Sequence, residues 1–427
     1  MREMKDSGIE WIGEIPKYWV CCKVKNATSF VGSGTTPTSS NQEFYDGDIS
    51  WIQSGDLYKA VAVESVEKKL TLKALKSFSA LHIYQAPFIV MAMYGASVGN
   101  TAFSKIDACC NQACCCIKNN EFFNLNFMYY WLILAQIDFL GRAIGGTQPN
   151  ISQEKIRNQH IVKPSLEEQQ QIADYLDTQC SEIDATAEDI QKEISLLEEY
   201  KKSVITEAVT KGLNPDAEMK DSGIEWIGEI PKDWKVIRFK YIAIVKSNLV
   251  APIRYMNYPQ IAPDVIEKNT GKIISHRSVE EANVDSWNHL FYKGQILYSK
   301  IRPVLNKVVI APYDGLCSAD MYPISAKENV RFLQYIMLSA FFVKQVDLVT
   351  RDRIKMPKIN QDELGNILLV WTSKEEQQQI ADFLDSKCSE IDSLIADKKR
   401  QLDILADYKK SLIYEYVTGK KEVPVNE

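Results

Sequence analysis

Several predicted loops combine cations, amides and small polar residues, the types that bind nucleic acid. Arg and Lys pair with guanine edges, Asn and Gln pair with adenine edges, and Lys, Ser and Thr also bind phosphates. The densest stretch, "RDRIKMPK" from Arg351, carries four cations in eight residues. The alternative for each position is a solvated loop without a partner. The predicted contact residues are Thr35, Thr36, Ser54, Tyr94, Gly146, Thr147, Gln148, Asn150, Lys300, Arg302, Asn306, Arg351, Arg353, Lys355, Lys358 and Asn360.

Motifs for catalysis are missing from the sequence. It contains neither the GxxxxGK[ST] phosphate loop nor a GxGxxG stretch after a strand. The stretch "PDVIEKNTGK" has acidic residues and a lysine, but nothing around it predicts a paired metal site. We therefore predict a binding protein that is not an enzyme by itself and that holds no cofactor or metal of its own.

Five of the ten cysteines lie in "CCNQACCC", Cys109 to Cys116. Zinc sites usually combine a CxxC pair with a distant second pair or with histidines. Cys114, Cys115 and Cys116 are adjacent, so in a strand they would point to alternating faces. We predict a buried strand of reduced cysteines, which is typical of a reducing compartment.

Charge is distributed unevenly along the chain, although the net charge is only −6. Residues 20–164 hold 13 Lys/Arg against 10 Asp/Glu, and residues 235–372 hold 19 against 12, whereas residues 165–212 hold 4 against 12. Binding to nucleic acid follows local patches, so the two basic segments are compatible with it. The longest apolar runs are shorter than a membrane span, and the start lacks the apolar core of a signal peptide. We expect a cytoplasmic protein without a membrane partner.

Two different blocks each occur twice, and they define the organisation of the chain. "MKDSGIEWIGEIPKYW" at Met4 returns at Met219 with one change, from Tyr18 to Asp233. "EEQQQIADYLDTQCSEID" at Glu167 returns as "EEQQQIADFLDSKCSEID" at Glu375, whereas the intervening segments show no obvious similarity. The predicted parts are a repeat box at 1–19, a variable domain at 20–164, a helix at 165–212, a linker and second box at 213–234, a variable domain at 235–372, a helix at 373–420 and a tail at 421–427.

Both acidic segments carry a heptad pattern, which predicts long helices that pack on each other. About 45 residues at roughly 1.5 Å each would make a rod of roughly 65 Å. Lys201 and Lys409 fall at equivalent seam positions and could set the register, and Lys398 interrupts the second seam. The alternative is a separate surface helix on each domain. The predicted packing residues are Leu176, Ile183, Ile190, Ile194, Leu197, Leu384, Ile391, Ile395, Leu402 and Leu405.

The variable segments alternate apolar runs with Gly, Asn and Pro clusters, which predicts mixed α/β domains. The boxes offer apolar anchors, and we expect each box to pack beside the helices and to set the angle of its variable domain. These anchors are Trp11, Ile12, Ile15 and Trp19 in the first box, and Trp226, Ile227, Ile230 and Trp234 in the second.

The order of "SGIEWIGEIPKxW", variable segment and "EEQQQIAxxLDxxCSEID", present twice, resembles the specificity subunits of type I restriction-modification systems. "GSGTTPTSSNQEFYDGDISWIQSGDL" and "IDACCNQACC" also look like stretches of that family's first recognition domains. The resemblance implies an α/β (α+β) fold, a pseudo-twofold tandem repeat with two target recognition domains joined by two long antiparallel coiled-coil helices.

The resemblance also implies the function. Each recognition domain would read one half of a split site in double-stranded DNA, and the helices would set the gap and dock two modification (methyltransferase) subunits. Two restriction (motor-nuclease) subunits would complete the complex. S-adenosylmethionine would belong to the modification subunits, and ATP with magnesium to the motor subunits. The alternatives are a coiled-coil scaffold with two lobes that bind other ligands, and an autonomous nuclease or methyltransferase.

Overall fold

The computed structural model of the chain describes residues 2–58, 60–136, 150–353 and 356–424. Its contacts divide the chain into a first unit, Met1–Asp189 with Gln401–Glu427, and a second unit, Ile190–Arg400. The division falls inside both long helices, so each of them contributes one half to each unit.

The strands of the first unit are β1 (Met4–Asp6), β2 (Glu14–Pro16), β3 (Val20–Lys23), β4 (Thr28–Ser33), β5 (Tyr45–Ile52), β6 (Ala62–Val63), β7 (Lys69–Leu70), β8 (Phe88–Ala92), β9 (Thr101–Ser104), β10 (Cys109–Cys110), β11 (Cys114–Asn119) and β12 (His160–Lys163). The strands of the second unit are β13 (Met219–Asp221), β14 (Glu229–Pro231), β15 (Lys235–Arg238), β16 (Ala243–Val245), β17 (Leu249–Val250), β18 (Gln260–Ile261), β19 (Asn288–Phe291), β20 (Ile296–Ser299), β21 (Val308–Ile310), β22 (Gly315–Cys317), β23 (Met321–Ala326) and β24 (Leu368–Trp371).

The helices, in chain order, are α1 (Val24–Ala27), α2 (Leu72–Ser77), α3 (Leu125–Leu134), α4 (Gln153–Asn158), α5 (Leu166–Lys211), α6 (Phe239–Ile242), α7 (Val330–Leu338), α8 (Ala340–Thr350), α9 (Gln361–Asn366) and α10 (Lys374–Val417). Short 3-10 turns lie at Gln42–Phe44, Ser54–Leu57, Gly95–Ser97, Pro252–Arg254, Pro263–Val265 and Pro303–Leu305. The predicted class is confirmed, since mixed α/β domains occur together with two long helices.

The main sheet of the first unit has the strand order β4-β11-β8-β9-β6. Strand β8 is buried along its whole length, because "FIVMA" presents apolar side chains to both faces. The predicted strand of buried cysteines is confirmed in β11. Cys115 packs in the core that faces α3 and the long helices, whereas Cys114 and Cys116 pack in the core on the opposite face. All ten cysteines are free thiols.

The main sheet of the second unit repeats this topology with a different sequence. Its order is β16-β23-β20-β21, which corresponds to β4-β11-β8-β9 of the first unit. Strand β10 runs parallel to β5 in the first unit, and β22 runs parallel to β18 in the second. The two variable segments therefore build the same scaffold, although their residues show no obvious similarity.

Each repeat box forms a hairpin that ends on a buried tryptophan. Trp19 and Trp234 are 0% and 1% exposed, respectively. Gly419, at the end of α10, has φ +72°, and a Cβ there would lie 2.5 Å from Pro16 Cγ. Gly212 holds the equivalent place after α5 with φ +74°. Both long helices therefore end on a glycine that permits left-handed backbone where the helix meets a box.

The box anchors differ in one respect from the prediction. Trp11 packs on Trp131 of α3, with 5.7 Å between ring centroids. Trp226 is instead 41% exposed, so it is not an anchor like its counterpart. In α7, Ile336 occupies the position that Trp131 has in α3, and the smaller side chain removes the aromatic partner that Trp226 would need.

Within each unit the segments of the long helices run antiparallel, as predicted. In the first unit Tyr175 contacts Tyr416 and Asp184 binds Lys409, so rising numbers in α5 meet falling numbers in α10. In the second unit Glu193 pairs with Lys398 and Lys201 binds Asp392. The interruption at Lys398 is thus satisfied by an ion pair across the helices.

The predicted packing residues of these helices fall into two groups. Leu176, Ile194, Leu384, Ile391 and Ile395 are buried. Ile183, Ile190, Leu197, Leu402 and Leu405 are half-buried. A helix that packs on a single partner helix leaves the margins of its apolar stripe in contact with water, which accounts for the second group. Among the described helices none is by itself long and apolar enough to cross a membrane; α7 and α8 meet that test only as a pair bent by 62°.

Candidate nucleic-acid interface

In the first unit several predicted contact residues gather around the turn Asn111–Ala113, between β10 and β11. The backbone N–H of Asn111 donates to Ile52 O (3.0 Å), and that of Met93 donates to Ala113 O (2.7 Å). The Thr36 hydroxyl donates to the Gln112 side chain. The turn therefore joins the chain after β4, the end of β5 and the end of β8 at one edge of the fold.

The segment before α4 completes this first site. Tyr94 and Asn150 form a β-bridge, and Ile151 N–H donates to Met93 O (2.9 Å). The Tyr94 side chain is 45% exposed, and Asn150 is exposed as well. Thr36 is exposed, whereas Thr35 and Ser54 are half-buried, with Ser54 in the 3-10 turn that follows β5.

The equivalent place in the second unit is the turn Ser318–Asp320, between β22 and β23. Ser318 N–H donates to Ile261 O (3.0 Å), and Lys300 N–H donates to Asp320 O (2.9 Å). These two bonds reproduce the Asn111–Ile52 and Met93–Ala113 bonds of the first unit. The same backbone frame therefore holds both sites.

Cations surround the second site. Ile301 forms a β-bridge with Lys358, and Arg302 N–H donates to Pro357 O (2.8 Å). The Lys358 ammonium lies 3.3 Å from Asp320 Oδ1, and the Lys300 ammonium lies 5.4 Å from the centre of the Tyr322 ring. Lys300, Arg302 and Lys358 are thus brought together, and the side chains of Arg302 and Lys358 are exposed.

Other predicted residues of the second site have structural partners. The Asn306 side chain is 1% exposed and donates from Nδ2 to Met337 O (2.9 Å), so it holds the loop from inside and does not face a ligand. Asn360 caps α9 by accepting from Glu363 N–H (2.8 Å). Arg353 donates to Lys358 O and to Glu363. Arg351, at the end of α8, is exposed.

Four predicted contact residues lie outside the described part of the chain. They are Gly146, Thr147, Gln148 and Lys355. Of the remaining members, Thr36, Tyr94 and Asn150 lie around the first turn, and Lys300, Arg302 and Lys358 lie around the second.

Sequence reasoning missed the central turns themselves. Gln112 and Asp320 were not among the predicted residues, although each contacts one that was. A signal for Gln112 was present, because two amides between two apolar cysteine runs are typical of a turn. His289 lies close to the second site, and burial together with the positive charge of Lys300 lowers its pKa. Its buried imidazole is therefore neutral at pH 7.

The repeated "EEQQQ" block ties each variable domain to its long helix through paired contacts. Trp19 Nε1 donates to Glu168 (2.9 Å), and Trp234 Nε1 donates to Glu376 (2.8 Å). One residue further along, Gln169 and Gln377 are fully buried. The shared residues of box and helix thus bond to each other, which explains why they are the same in both halves.

The next residues of the block hold the helix that backs the main sheet. Asn124 Nδ2 donates to Gln170 (2.6 Å) and Asn329 Nδ2 donates to Gln378 (2.9 Å), both from the residue that caps the helix. The Tyr130 hydroxyl donates to Asp177 (2.7 Å), and the Tyr335 hydroxyl donates to Asp385 (2.7 Å). The two tyrosine bonds are partly buried, and these paired hydrogen bonds fix the orientation of each helix on the long helix that supports it.

The comparisons with known proteins define the class as DNA specificity subunits. A model of the family described as "Type I restriction modification DNA specificity domain" matches residues 19–196. The MjaIX specificity subunit of Methanocaldococcus jannaschii is 31% identical over 429 residues, which cover 96% of this chain and 95% of that protein. The chain belongs to the family of type I restriction enzyme specificity subunits.

Two further similarities agree with this assignment. The EcoDI specificity subunit of Escherichia coli is 34% identical over 269 residues, 59% of this chain and 60% of that protein. A chain from the solved structure "Structural basis underlying complex assembly and conformational transition of the type I R-M system" has a TM-score of 0.72 at 13% identity, over 95% of this chain and 99% of that one. The latter similarity shows the fold.

Proposed function

We propose that each recognition domain reads one half of a bipartite site in double-stranded DNA. The observation that carries this proposal is a pair of sites at equivalent places in two domains of the same topology. The two sites carry different functional groups. The first offers hydroxyl and amide groups at Thr36, Gln112 and Asn150, and the second offers cations at Lys300, Arg302 and Lys358. Two different half-sites require such a difference, because amides and cations pair with different base edges.

Mapping of DNA methylation in the host tests this function. We expect one bipartite motif to disappear when the gene is deleted and to return with the full-length chain. A Gln112→Ala variant should then relax or change only one half of the motif, and a Lys358→Ala variant should affect the other half. A methylome that is the same with and without the gene would refute the proposal.

The two long helices are proposed to set the gap between the half-sites. Support comes from their ion pairs and apolar contacts, which make each pair of helix segments a single packed body. Deleting four residues between Ile183 and Leu197, with four facing residues of α10, should remove about 6 Å of length. Since base pairs rise about 3.4 Å, the gap should shorten by about two base pairs. An unchanged gap would exclude this role.

The proposed complex has catalytic partners. Two modification subunits would dock on the chain and carry S-adenosylmethionine, and two restriction subunits would carry ATP and magnesium, all in the cytoplasm where the host DNA lies. Support comes from the duplicated contacts between box and helix, Trp19–Glu168 and Trp234–Glu376, which give both halves of the chain the same frame. Two equivalent frames in one chain suit two copies of one partner. Purified chain should transfer no methyl group until the modification subunit is added, and DNA binding by the complex should weaken steeply with salt.

A scaffold whose lobes bind other ligands would show no such salt dependence. Methyl transfer or DNA cleavage by the chain alone would instead identify an autonomous enzyme.

A further inference from the structure

A cavity of about 420 Å³ in the second unit is rich in lysine. It lies where the loop Glu267–Lys272 meets α5 and α10, and it is lined by Lys201, Lys202, Lys268, Lys272 and Lys399. The acidic residues in its lining are Glu198, Glu267 and Asp392. Five cations against three anions leave a net positive charge of two around one cavity.

Two of these lysines share one counter-ion. Lys201 and Lys272 both bind Asp392, at 2.8 and 2.7 Å from its carboxylate oxygens. Burial raises the pKa of Asp392, but hydrogen bonds from the two lysines outweigh it, so the net shift is downward and the carboxylate is ionised. Asp392 therefore serves as a fixed counter-ion for two of the five cations.

The other three lysines are exposed. Within the described ranges, Lys202, Lys268 and Lys399 form no ion pair, and neither Glu198 nor Glu267 binds any of them. Three ammonium groups held around one cavity repel each other, and an anion between them relieves that repulsion. The lining is thus suited to a group with negative charge and several acceptor oxygens.

A neighbouring cavity extends from this one towards the candidate DNA interface of the same unit. A second cavity of about 390 Å³ shares Lys202, Asn269 and Leu338 with the first, and its lining extends to Val304. Val304 lies in the 3-10 turn that follows Arg302, and Asn269 N–H donates to Asn306 O (3.2 Å). The second cavity therefore extends from the lysine-lined cavity to the 3-10 turn that begins directly after Arg302.

We propose that this cavity binds a backbone phosphate of the unread gap, next to the half-site that the second domain reads. The inference rests on the proposed function. It adds to the base contacts of the second domain a phosphate contact that has no base specificity. Lysine is a compact point charge that suits phosphate without reading sequence. The phosphate is assigned to the gap because Lys202 and Lys399 belong to the long helices. In the proposed function these helices set the length of the gap.

The first half of the repeat lacks part of this lining. Gln191 takes the place of Lys399, and Lys410, the counterpart of Lys202, binds Asp407 at 3.4 Å. The phosphate contact is therefore specific to the second half, and it should be detected at one end of the gap.

Chemical neutralisation of single phosphates tests the contact in the complex of the full chain with its modification subunit. The DNA carries the mapped site, with or without methylphosphonates at gap positions next to the second half-site. For the native complex, neutralisation should lower the slope of log K against log salt by about one. The triple variant Lys202→Ala, Lys268→Ala, Lys399→Ala should show that lower slope on unmodified DNA and no further response to methylphosphonates.

Two matched variants control for folding and for general loss of charge. The same three positions changed to Arg should keep the native slope. Ala at Lys235, Lys293 and Lys327, which are exposed and lie outside the cavity, should keep the native response to methylphosphonates. Neutral phosphates next to the first half-site should affect the native complex and the triple variant equally.

Several outcomes would overturn the contact. In the first, the triple Ala variant responds to methylphosphonates like the native complex. In the second, that variant loses only its affinity for the modification subunit. In the third, inorganic phosphate binds to the native chain, but the variant keeps the native slope of log K against log salt. The second outcome would assign the cavity to a protein partner, and the third to a free anion. Failure of the native complex to prefer the bipartite site over scrambled DNA would refute the proposed function itself.

Discussion

The turns Asn111–Ala113 and Ser318–Asp320 lie at equivalent places on two scaffolds of the same topology, yet they support different chemistry. Hydrogen bonds that involve backbone atoms alone are the same in both, whereas the side chains change from amide and hydroxyl to cation. The contacts between box and helix show the opposite behaviour, since Trp19–Glu168 and Trp234–Glu376 are alike in residue type and distance. The contrast teaches that backbone hydrogen bonds hold the two turns and that duplicated side chains hold each box on its helix. Because neither depends on the exposed side chains of the sites, those side chains are free to differ.

Removal of a box tryptophan should have the largest effect on the frame. Trp19→Ala or Trp234→Ala deletes a fully buried ring and its bond to glutamate, so we expect a loss of about 3–5 kcal/mol in stability. Thermal and urea unfolding of the full chain measure it. Trp226→Ala in the same box is the control and should cost less than about 1 kcal/mol, because Trp226 is 41% exposed. Equal losses for Trp226 and Trp234 would contradict the burial seen here.

The two lysines at the helix seam should differ in their effects. Lys201 and Lys409 bind equivalent aspartates, but their side chains are 13% and 28% exposed, respectively. Lys201→Ala should cost about 1–3 kcal/mol, because Asp392 is partly buried, and Lys409→Ala should cost less. Unfolding midpoints of both variants and of the double variant check this order. A larger loss for Lys409→Ala would show that exposure does not govern these ion pairs.

Removal of one side chain from each of the two sites sharpens the comparison further. Gln112→Ala should reduce discrimination at one base pair by about 1–3 kcal/mol and leave the salt dependence unchanged. Lys358→Ala should reduce discrimination in the other half-site and, because it also removes a cation, should lower the salt slope by about one. Binding of the assembled complex to duplexes with single substitutions, at several salt concentrations, separates the two effects. If Gln112→Ala altered the salt slope instead, its role in reading bases would be wrong.

The smallest expected effect concerns acid stability of the second unit. The folded-state pKa of Asp392 is lowered, so its ion pairs stabilise the fold above the unfolded value of about 4 and are lost as pH falls through the folded value. The native chain should lose more stability between about pH 5 and pH 3 than Asp392→Asn. Parallel acid dependence of the two proteins would show that other groups dominate.

Local patterns predicted the fold class well because they depend on neighbours in sequence. The heptad spacing predicted α5 and α10, and the adjacent cysteines predicted a strand with alternating faces, since period and side-chain size suffice for both. The loop residues were predicted by type alone, which explains the mixed outcome. Lys300, Arg302 and Lys358 came together, whereas Asn306 is buried and Asn360 caps a helix.

The sequence by itself determined the duplicated frame, because near-identical boxes and helices 215 and 208 residues apart can be compared without coordinates. Tertiary structure alone decided that the two variable segments share one topology. Buried positions of a sheet accept many apolar residues of similar size, so the same scaffold forms without visible similarity. It also decided that Gln112 and Asp320 lie at the centre of their sites and that Trp226 is exposed. Those outcomes depend on partners such as Thr36, Lys358 and Ile336, which are distant in sequence and meet only in the folded chain.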